Sequence, residues 1–186
     1  MSNFNNVSNE IINELGRTLS KIDNKEVEEL VNQIQKAEKV FFVGVGRVLL
    51  SLEAIAKRLA HLGINTVVVG QITEPAITDK DLLIVGSGSG ETIFPLNIAK
   101  KAKKFNAKVI HIGANPNSSI KEFRDYFIKI PVSTKLNLEN EVSSIQPMTS
   151  LFEQSLLLLG DTIALMIIRE KNINMTNLWK YHANLE

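Results

Sequence analysis

The chain has 186 residues, of which 44% are hydrophobic and 22% are charged, a globular composition that excludes a disordered or collagen-like chain. Lys and Arg total 21 and Asp and Glu total 20, a net charge of +1, so the bulk positive charge that binds nucleic acid or an anionic membrane is absent. There is no cysteine, which excludes disulfides, zinc-thiolate sites and thiol nucleophiles and agrees with a cytoplasmic location.

Amphipathic helices alternate with short apolar strands along the chain. Apolar residues spaced three or four apart predict helices, at residues 5–22, 25–37, 49–62, 91–105 and 145–171, with shorter ones at 117–123 and 175–181. Short apolar runs predict buried strands, at residues 39–44, 65–70, 81–86, 108–113 and 126–130. In the helix at 91–105, we expect an inward face of Phe94, Ile98, Ala102 and Phe105.

This alternation predicts an α/β fold in a single domain over residues 1–186. We expect a three-layer α/β/α sandwich with a five-stranded parallel sheet, extended by a helical N-terminal segment over about residues 1–37. A flavodoxin-like strand order, 2-1-3-4-5, would place a switch point between the first and third strands, where ligands bind at the carboxyl ends. The loops that begin at Gly44 and Gly86 are therefore the candidate site.

No targeting or membrane segment is predicted. Residues 1–15 are polar with scattered apolar residues, unlike a secretory signal. The most apolar stretch, residues 156–168, is shorter than the about 20 residues of a spanning helix, and Gly160 and Asp161 interrupt it. We expect a core or subunit-interface helix there.

The loop after the third strand predicts a phosphate site. Residues 86–92 read Gly-Ser-Gly-Ser-Gly-Glu-Thr directly before a helix. Glycines such as Gly88 let several N–H groups converge, the helix N-terminus adds partial positive charge, and Ser87, Ser89 and Thr92 add hydroxyl groups. A Walker loop would end in Lys-Ser/Thr, so nucleotide hydrolysis is not expected. The alternative is an ordinary turn with a Ser or Thr cap.

The loop after the first strand is less specific. Residues 44–49, Gly-Val-Gly-Arg-Val-Leu, begin like a dinucleotide fingerprint, but Leu49 stands where the third glycine is required. Gly46 and Arg47 open a helix at the same sheet edge, where Arg47 is a candidate to face an anionic or hydroxyl-rich ligand. A solvated arginine is the alternative.

The glycine-serine loop, Ser87 to Thr92, resembles the phosphosugar signature of the SIS (sugar isomerase) domain family. Four further stretches resemble the 6-phospho-3-hexuloisomerase family of single-SIS-domain enzymes, at residues 58–63, 73–77, 144–154 and 182–186. The resemblance covers nearly the whole chain. It implies interconversion of 3-hexulose 6-phosphate and fructose 6-phosphate in the ribulose monophosphate pathway, with no metal or organic cofactor, by a homotetramer.

The sequence departs from this family at Val48, where the family usually has a serine that touches the ligand. The change loses a hydroxyl donor and brings in two apolar side chains, Val48 and Leu49. One hydrogen bond to a charged group is worth roughly 1.5–3 kcal/mol. We therefore expect weaker affinity, by about tenfold or more, or a shifted substrate preference.

Isomerisation of a ketose needs a base, a donor for the developing oxyanion and exclusion of water. Glu153 is the candidate base. Pro147 suits the first turn of the long helix, and apolar neighbours at 151, 152 and 156 predict a setting that makes a carboxylate a stronger base at neutral pH. The resemblance of the Phe-Glu-Gln segment to the family supports this role. The alternative is a surface glutamate near a helix N-terminus.

Three histidines are present, and none is predicted to reach the site of its own chain. His111 lies within an apolar strand and is expected to be packed. His61 lies roughly 20 Å along its helix from the glycine-serine loop at residues 87–92, the phosphate loop. A catalytic His61 must therefore act in a neighbouring subunit, and His182 is a candidate to do the same. No His, Asp and Glu cluster has metal-ligand spacing, so no metal is expected.

The expected ligand is a sugar phosphate, with neither nucleic acid nor a membrane as partner. Two alternatives stay open: a non-catalytic phosphosugar sensor, and an isomerase of another sugar phosphate. The apolar stripe at 156–168 and the leading helices also predict a closed homo-oligomer.

Overall fold

A computed structural model describes residues 3–134 and 140–185. In these two ranges the α-helices are α1 Phe4–Leu19, α2 Asn24–Lys36, α3 Gly46–Ala60, α4 Ile93–Lys103 and α5 Ser150–Glu170. The strands of the described residues are β1 Val40–Val43, β2 Thr66–Val68, β3 Leu82–Gly86, β4 Lys108–Gly113 and β5 Tyr126–Lys129. Short 3-10 helices lie at Ser119–Glu122 and Met175–Tyr181. The ends of the predicted 1–37 and 182–186 segments, residues 1–2 and 186, lie outside the described residues.

The sheet is parallel throughout, in the order β2-β1-β3-β4-β5. This confirms the predicted fold and its switch point, because the chain continues from β1 to β2 on one side and from β3 to β4 on the other. Val43 pairs with Val85 at the carboxyl end. The loops that follow these two residues therefore lie side by side at one edge of the sheet.

Two hydrophobic clusters cover the two faces of the sheet. Phe42 and Ile84 point to the face packed against α2, α3 and α5. Phe41 and Val85 point to the face packed against α4 and the first 3-10 helix. Burial on both faces explains why the strands are continuous apolar runs rather than alternating ones.

The inward face predicted for α4 is wrong in part. Ala102 is buried as expected and Ile98 is partly buried, but Phe94 and Phe105 are 48% and 49% exposed. The buried positions of α4 are Pro95, Ala99 and Ala102. These positions let the helix lie close to the sheet, whereas Phe94 lies off this buried stripe and Phe105 lies beyond the end of α4 at Lys103.

The start of α5 also differs from the prediction. The helix begins at Ser150 rather than 145, so Pro147 precedes it and does not occupy its first turn. Met148 has a φ of 58°, in the left-handed region, which interrupts a right-handed helix. Residues 144–149 therefore form a loop that leads into α5.

Helix α5 extends beyond both ends of the apolar stretch at residues 156–168. It has 21 residues and, by length and composition alone, could cross a membrane. However, 56% of its most apolar window is buried inside the fold, where Leu156, Leu159, Ile163 and Ile167 pack in the core. The expected core helix is thus confirmed.

Candidate active site

Three chain segments converge at the carboxyl edge of the sheet, beside the switch point. They are the N-terminus of α3, the loop at residues 87–92 and the N-terminus of α5. Arg47 Nε forms an ion pair with Glu153 Oε2, and a Cβ placed on Gly88 would lie 3.6 Å from the ring of Phe152. The structure thus brings Arg47 to Glu153 and packs Gly88 against the preceding residue, Phe152.

The loop at 87–92 owes its shape to one glycine and three hydroxyl groups. Gly90 has a φ of 68°, and a Cβ there would lie 2.1 Å from Ser118 Oγ, so a larger residue does not fit. The N–H of Gly90 donates to Ser87 Oγ at 3.1 Å, and the Ser87 hydroxyl donates to Thr92 Oγ1 at 3.3 Å. The N–H of Glu91 donates to Ser89 Oγ at 3.2 Å. The three predicted hydroxyl groups therefore belong to one tight loop.

Three consecutive carbonyl groups of this loop bond to the segment on and after β4. His111 Nε2 lies 2.8 Å from the Ser87 carbonyl. The Gly88 carbonyl accepts from the N–H of Ala114 at 2.9 Å, and Asn115 Nδ2 donates to the Ser89 carbonyl at 3.3 Å. Since the C=O and N–H of a trans peptide point in opposite directions, the following N–H groups face away from β4.

Two of these N–H groups, those of Gly88 and Ser89, are available to a ligand, as is the N–H of Thr92, whereas the N–H of Gly90 is bonded to Ser87 Oγ. Over residues 3–134 and 140–185, no hydrogen bond is donated by the N–H groups of Gly88, Ser89 or Thr92. Thr92 is also the N-cap of α4, where the partial positive charge of the helix lies. The loop can therefore offer an anion both backbone amides and the neighbouring hydroxyl groups.

His111 is buried, as expected of a packed histidine. Burial, together with the nearby charge of Arg124, lowers its pKa to about 4 against the opposing hydrogen bond to Ser87. The ring is therefore neutral at pH 7. Because a carbonyl can only accept, Nε2 carries the proton, and Nδ1 faces Arg124 Nη1 at 3.4 Å. The sequence identified His111 as packed but could not show that it holds the phosphate loop.

Glu153 is 7% exposed, so the surface-glutamate alternative is wrong. Its Oε1 accepts from Thr149 Oγ1 at 2.9 Å, and its main-chain carbonyl accepts from Ser51 Oγ at 2.9 Å. Neither partner was predicted from the sequence. The four-residue spacing of Thr149 and Glu153 was a usable signal, whereas Ser51 is brought in only by the packing of α3 against α5.

Val48 packs against the two strands at the switch point. A Cβ on Gly86 would lie 2.9 Å from Val48 Cγ1, and one on Gly44 would lie 3.3 Å from it. Val48 and Leu49 are both partly buried against the main core cluster. The apolar side chain is thus accommodated by Gly44, which follows β1, and by Gly86, which ends β3.

His61 and His182 lie together, away from the phosphate loop. Their rings stack with centroids 5.2 Å apart, and Trp179 lies 5.1 Å from His182. His61 is the C-cap of α3, whereas Arg47 is in its first turn, and a helix of this length separates the two by roughly 20 Å. The structure does not bring either histidine to the site of its own chain.

Metal-ligating side chains do not converge in the part of the chain that is described. Over residues 3–134 and 140–185, no group of three or more His, Asp or Glu side chains is placed to hold an ion.

The fold and the loop define a class of phosphate-binding α/β proteins. The SIS domain model matches residues 33–158, and the chain belongs to the SIS domain family. The 3-hexulose-6-phosphate isomerase of Bacillus subtilis (strain 168) is 40% identical over 177 residues, covering 95% of this chain and 96% of that relative. The enzyme of the same name from Mycobacterium gastri is 36% identical over 173 residues, covering 93% and 86%.

A solved structure agrees with these relatives. A Methanococcus jannaschii protein, whose crystal structure was reported to infer a molecular function of 3-hexulose-6-phosphate isomerase, superposes with a TM-score of 0.84 at 31% identity, covering 97% of this chain and 99% of that one. The resemblance seen in the sequence, to the SIS family and to its hexuloisomerase branch, is confirmed.

Proposed function

We propose that the protein interconverts 3-hexulose 6-phosphate and fructose 6-phosphate through an enediol, as a single-domain cytoplasmic enzyme without a metal or organic cofactor. The observation that carries the proposal is the buried carboxylate of Glu153, which pairs with Arg47 and follows Phe152, the residue whose ring packs against Gly88 of the phosphate loop. The relatives named 3-hexulose-6-phosphate isomerase support this substrate.

The phosphate group binds to the loop at 87–92. The N–H groups of Gly88, Ser89 and Thr92 donate to its oxygens, and the hydroxyls of Ser87, Ser89 and Thr92 add donors by rotating. Gly46 and Arg47, at the start of α3, form the opposite side of the mouth. Binding one end of the substrate in this way fixes its carbon chain relative to Glu153.

Glu153 acts as the base. It removes the proton from C2 of the 3-ketose while O3 takes a proton from an acid, the role proposed below for His61 of another copy, which gives the 2,3-enediol. Glu153 then returns its proton to C3 while O2 gives its proton to the same histidine, so that the carbonyl group moves to C2 and both groups regain their starting protonation. Thr149 and Ser51 fix the carboxylate and its backbone, and Arg47 supplies positive charge for the developing oxyanion.

His61 and His182 act across a subunit boundary in this proposal. Their stacked pair lies at the far end of α3, so it can only complete a site in another copy of the chain. We therefore propose a homo-oligomer, a tetramer, in which His61 contributes to proton transfer and His182 to substrate binding.

A coupled assay for fructose 6-phosphate formation tests the function. The parent should turn over 3-hexulose 6-phosphate, and Glu153→Gln should lose at least about a thousandfold in kcat, because it removes the base. Glu170→Gln, at the other end of α5, is the matched control and should keep parental activity.

Three outcomes would contradict the proposal. Full turnover by Glu153→Gln would remove Glu153 as the base. A parent that is thermally stabilised by sugar phosphates but turns none over would instead be a phosphosugar sensor, and turnover of a different sugar phosphate alone would identify another isomerase.

A further inference from the structure

Glu14 is a buried charged residue on α1, and in sequence it lies far from the phosphate loop. It is 3% exposed and lies before residue 33, where the match to the SIS domain begins. A buried carboxylate is costly unless it is hydrogen-bonded. Its partners therefore indicate why the position is charged.

The Glu14 side chain accepts three hydrogen bonds from one short segment, residues 144–146. Its Oε1 accepts from the N–H of Ile145 at 2.7 Å. Its Oε2 accepts from Ser144 Oγ at 2.7 Å and from Gln146 Nε2 at 3.0 Å. Burial raises the pKa of Glu14, but the bonds from Gln146, Ser144 and Ile145 outweigh it, so the pKa lies below its ordinary value and the side chain is ionised at pH 7.

The segment held by Glu14 leads directly to the proposed base. The Pro147 carbonyl accepts from the N–H of Ser150 at 3.3 Å and from its hydroxyl at 2.8 Å. Thr149, between them, donates to Glu153 Oε1 at 2.9 Å. Only three residues, Pro147 to Thr149, separate the segment anchored by Glu14 from the helix that carries Glu153.

We propose that Glu14 is a positioning residue: by holding residues 144–146, α1 fixes the entry into α5 and thereby the contact of Thr149 with Glu153. This inference rests on the proposed function of Glu153. Glu14 does not contact the phosphate loop, so its loss should affect the chemical step more than binding. Helix α1 then becomes part of the catalytic apparatus rather than an external addition.

The test compares Glu14→Gln with Glu10→Gln, which makes the same charge change on the exposed part of α1. In Glu14→Gln one acceptor oxygen becomes an NH2 donor, so the new side chain cannot accept from all three groups that bond to the carboxylate. We expect Glu14→Gln to lower kcat about tenfold, since small misplacements of a catalytic group have effects of this order or larger, and to leave KM within about twofold. Glu10→Gln should have the kcat and the KM of the parent. Ser144→Ala, which removes one donor without changing α1, should show a smaller loss of the same kind.

Hydrogen–deuterium exchange gives a readout that does not need turnover. Exchange at residues 145–153 should be faster in Glu14→Gln than in the parent and Glu10→Gln, while the loop at 87–92 should be unchanged. A kcat of Glu14→Gln and Ser144→Ala within twofold of an active parent would overturn the inference, and so would unchanged exchange at 145–153. A parent without any turnover would overturn the proposed function instead, and the exchange measurement alone would then decide whether Glu14 holds the segment.

Discussion

His111 Nε2 lies 2.8 Å from the carbonyl oxygen of Ser87, and this bond orients the first peptide of the phosphate loop so that its N–H faces away from β4. Without the donor, the carbonyl group can rotate toward the mouth and repel a phosphate.

Replacement of His111 by Phe should therefore weaken sugar-phosphate binding. The ring volume is largely kept, but the bond to Ser87 is lost, at a cost of about 1 kcal/mol or more, which is roughly a fivefold or greater rise in the dissociation constant. Isothermal titration with fructose 6-phosphate measures this dissociation constant. Phe127→Leu, which changes the other ring in contact with His111, is the control, and equal affinity of His111→Phe and the parent would refute the role of His111.

The same residue should make stability depend on pH. The pKa of His111 is about 4 in the folded chain, against about 6.5 when unfolded, so the unfolded state binds more protons between these values. The free energy of unfolding should therefore fall as the pH falls from 6.5 toward 4, by about 2 kcal/mol at pH 5. Urea unfolding at pH 7 and pH 5 measures the difference. In His111→Gln this part of the pH dependence should vanish, and a slope equal to that of the parent would show that His111 is not its source.

Arg47 should matter for the reaction because its guanidinium pairs with the buried Glu153. Its side chain is 65% exposed, which leaves the rest of the group open to a substrate. Arg47→Met should lower kcat/KM about tenfold or more, because it removes a charge-assisted hydrogen bond whose free energy corresponds to a change of that size. Arg58→Met, on the same helix and paired with the exposed Asp161, is the matched control. Equal losses in the two variants would contradict a specific role for Arg47.

A substitution at Val48 should increase the affinity of the protein for its substrate. Val48→Thr keeps the shape that packs on Gly86 and adds a hydroxyl at the mouth, so KM should fall by about tenfold, as expected of one hydrogen bond to a charged group. Val48→Ala, which loses packing without adding a donor, should not lower KM. Steady-state kinetics compare the three proteins, and a Thr variant with the KM of the parent would show that this side chain does not reach the substrate.

Much of the fold could be predicted from local patterns, because strands buried on both faces must be apolar throughout and helices that cover them must be amphipathic. The phosphate loop was predictable for a similar reason, since glycines and hydroxyls occur together directly between β3 and α4. Val48 was recognised as a departure, but its packing on Gly86 became visible only in three dimensions.

Features that depend on distant contacts could not be predicted. Residues 145–149 have apolar residues and a proline that suit a helix, yet the bond from Ile145 to Glu14 and the left-handed Met148 delay α5 to Ser150. The stacking of His61 on His182 likewise joins two segments 121 positions apart, which no periodicity relates.

The binding of fructose 6-phosphate to a Ser87→Ala/Ser89→Ala double variant, measured by isothermal titration, tests the phosphate loop most directly. A Ser8→Ala/Ser20→Ala variant, which alters two exposed hydroxyls of the α1 region, controls for the loss of two serines. We expect the dissociation constant to rise at least about tenfold in the loop variant and to stay at the parental value in the control. Parental affinity in the loop variant would contradict the account, because the loop would then not be the phosphate site.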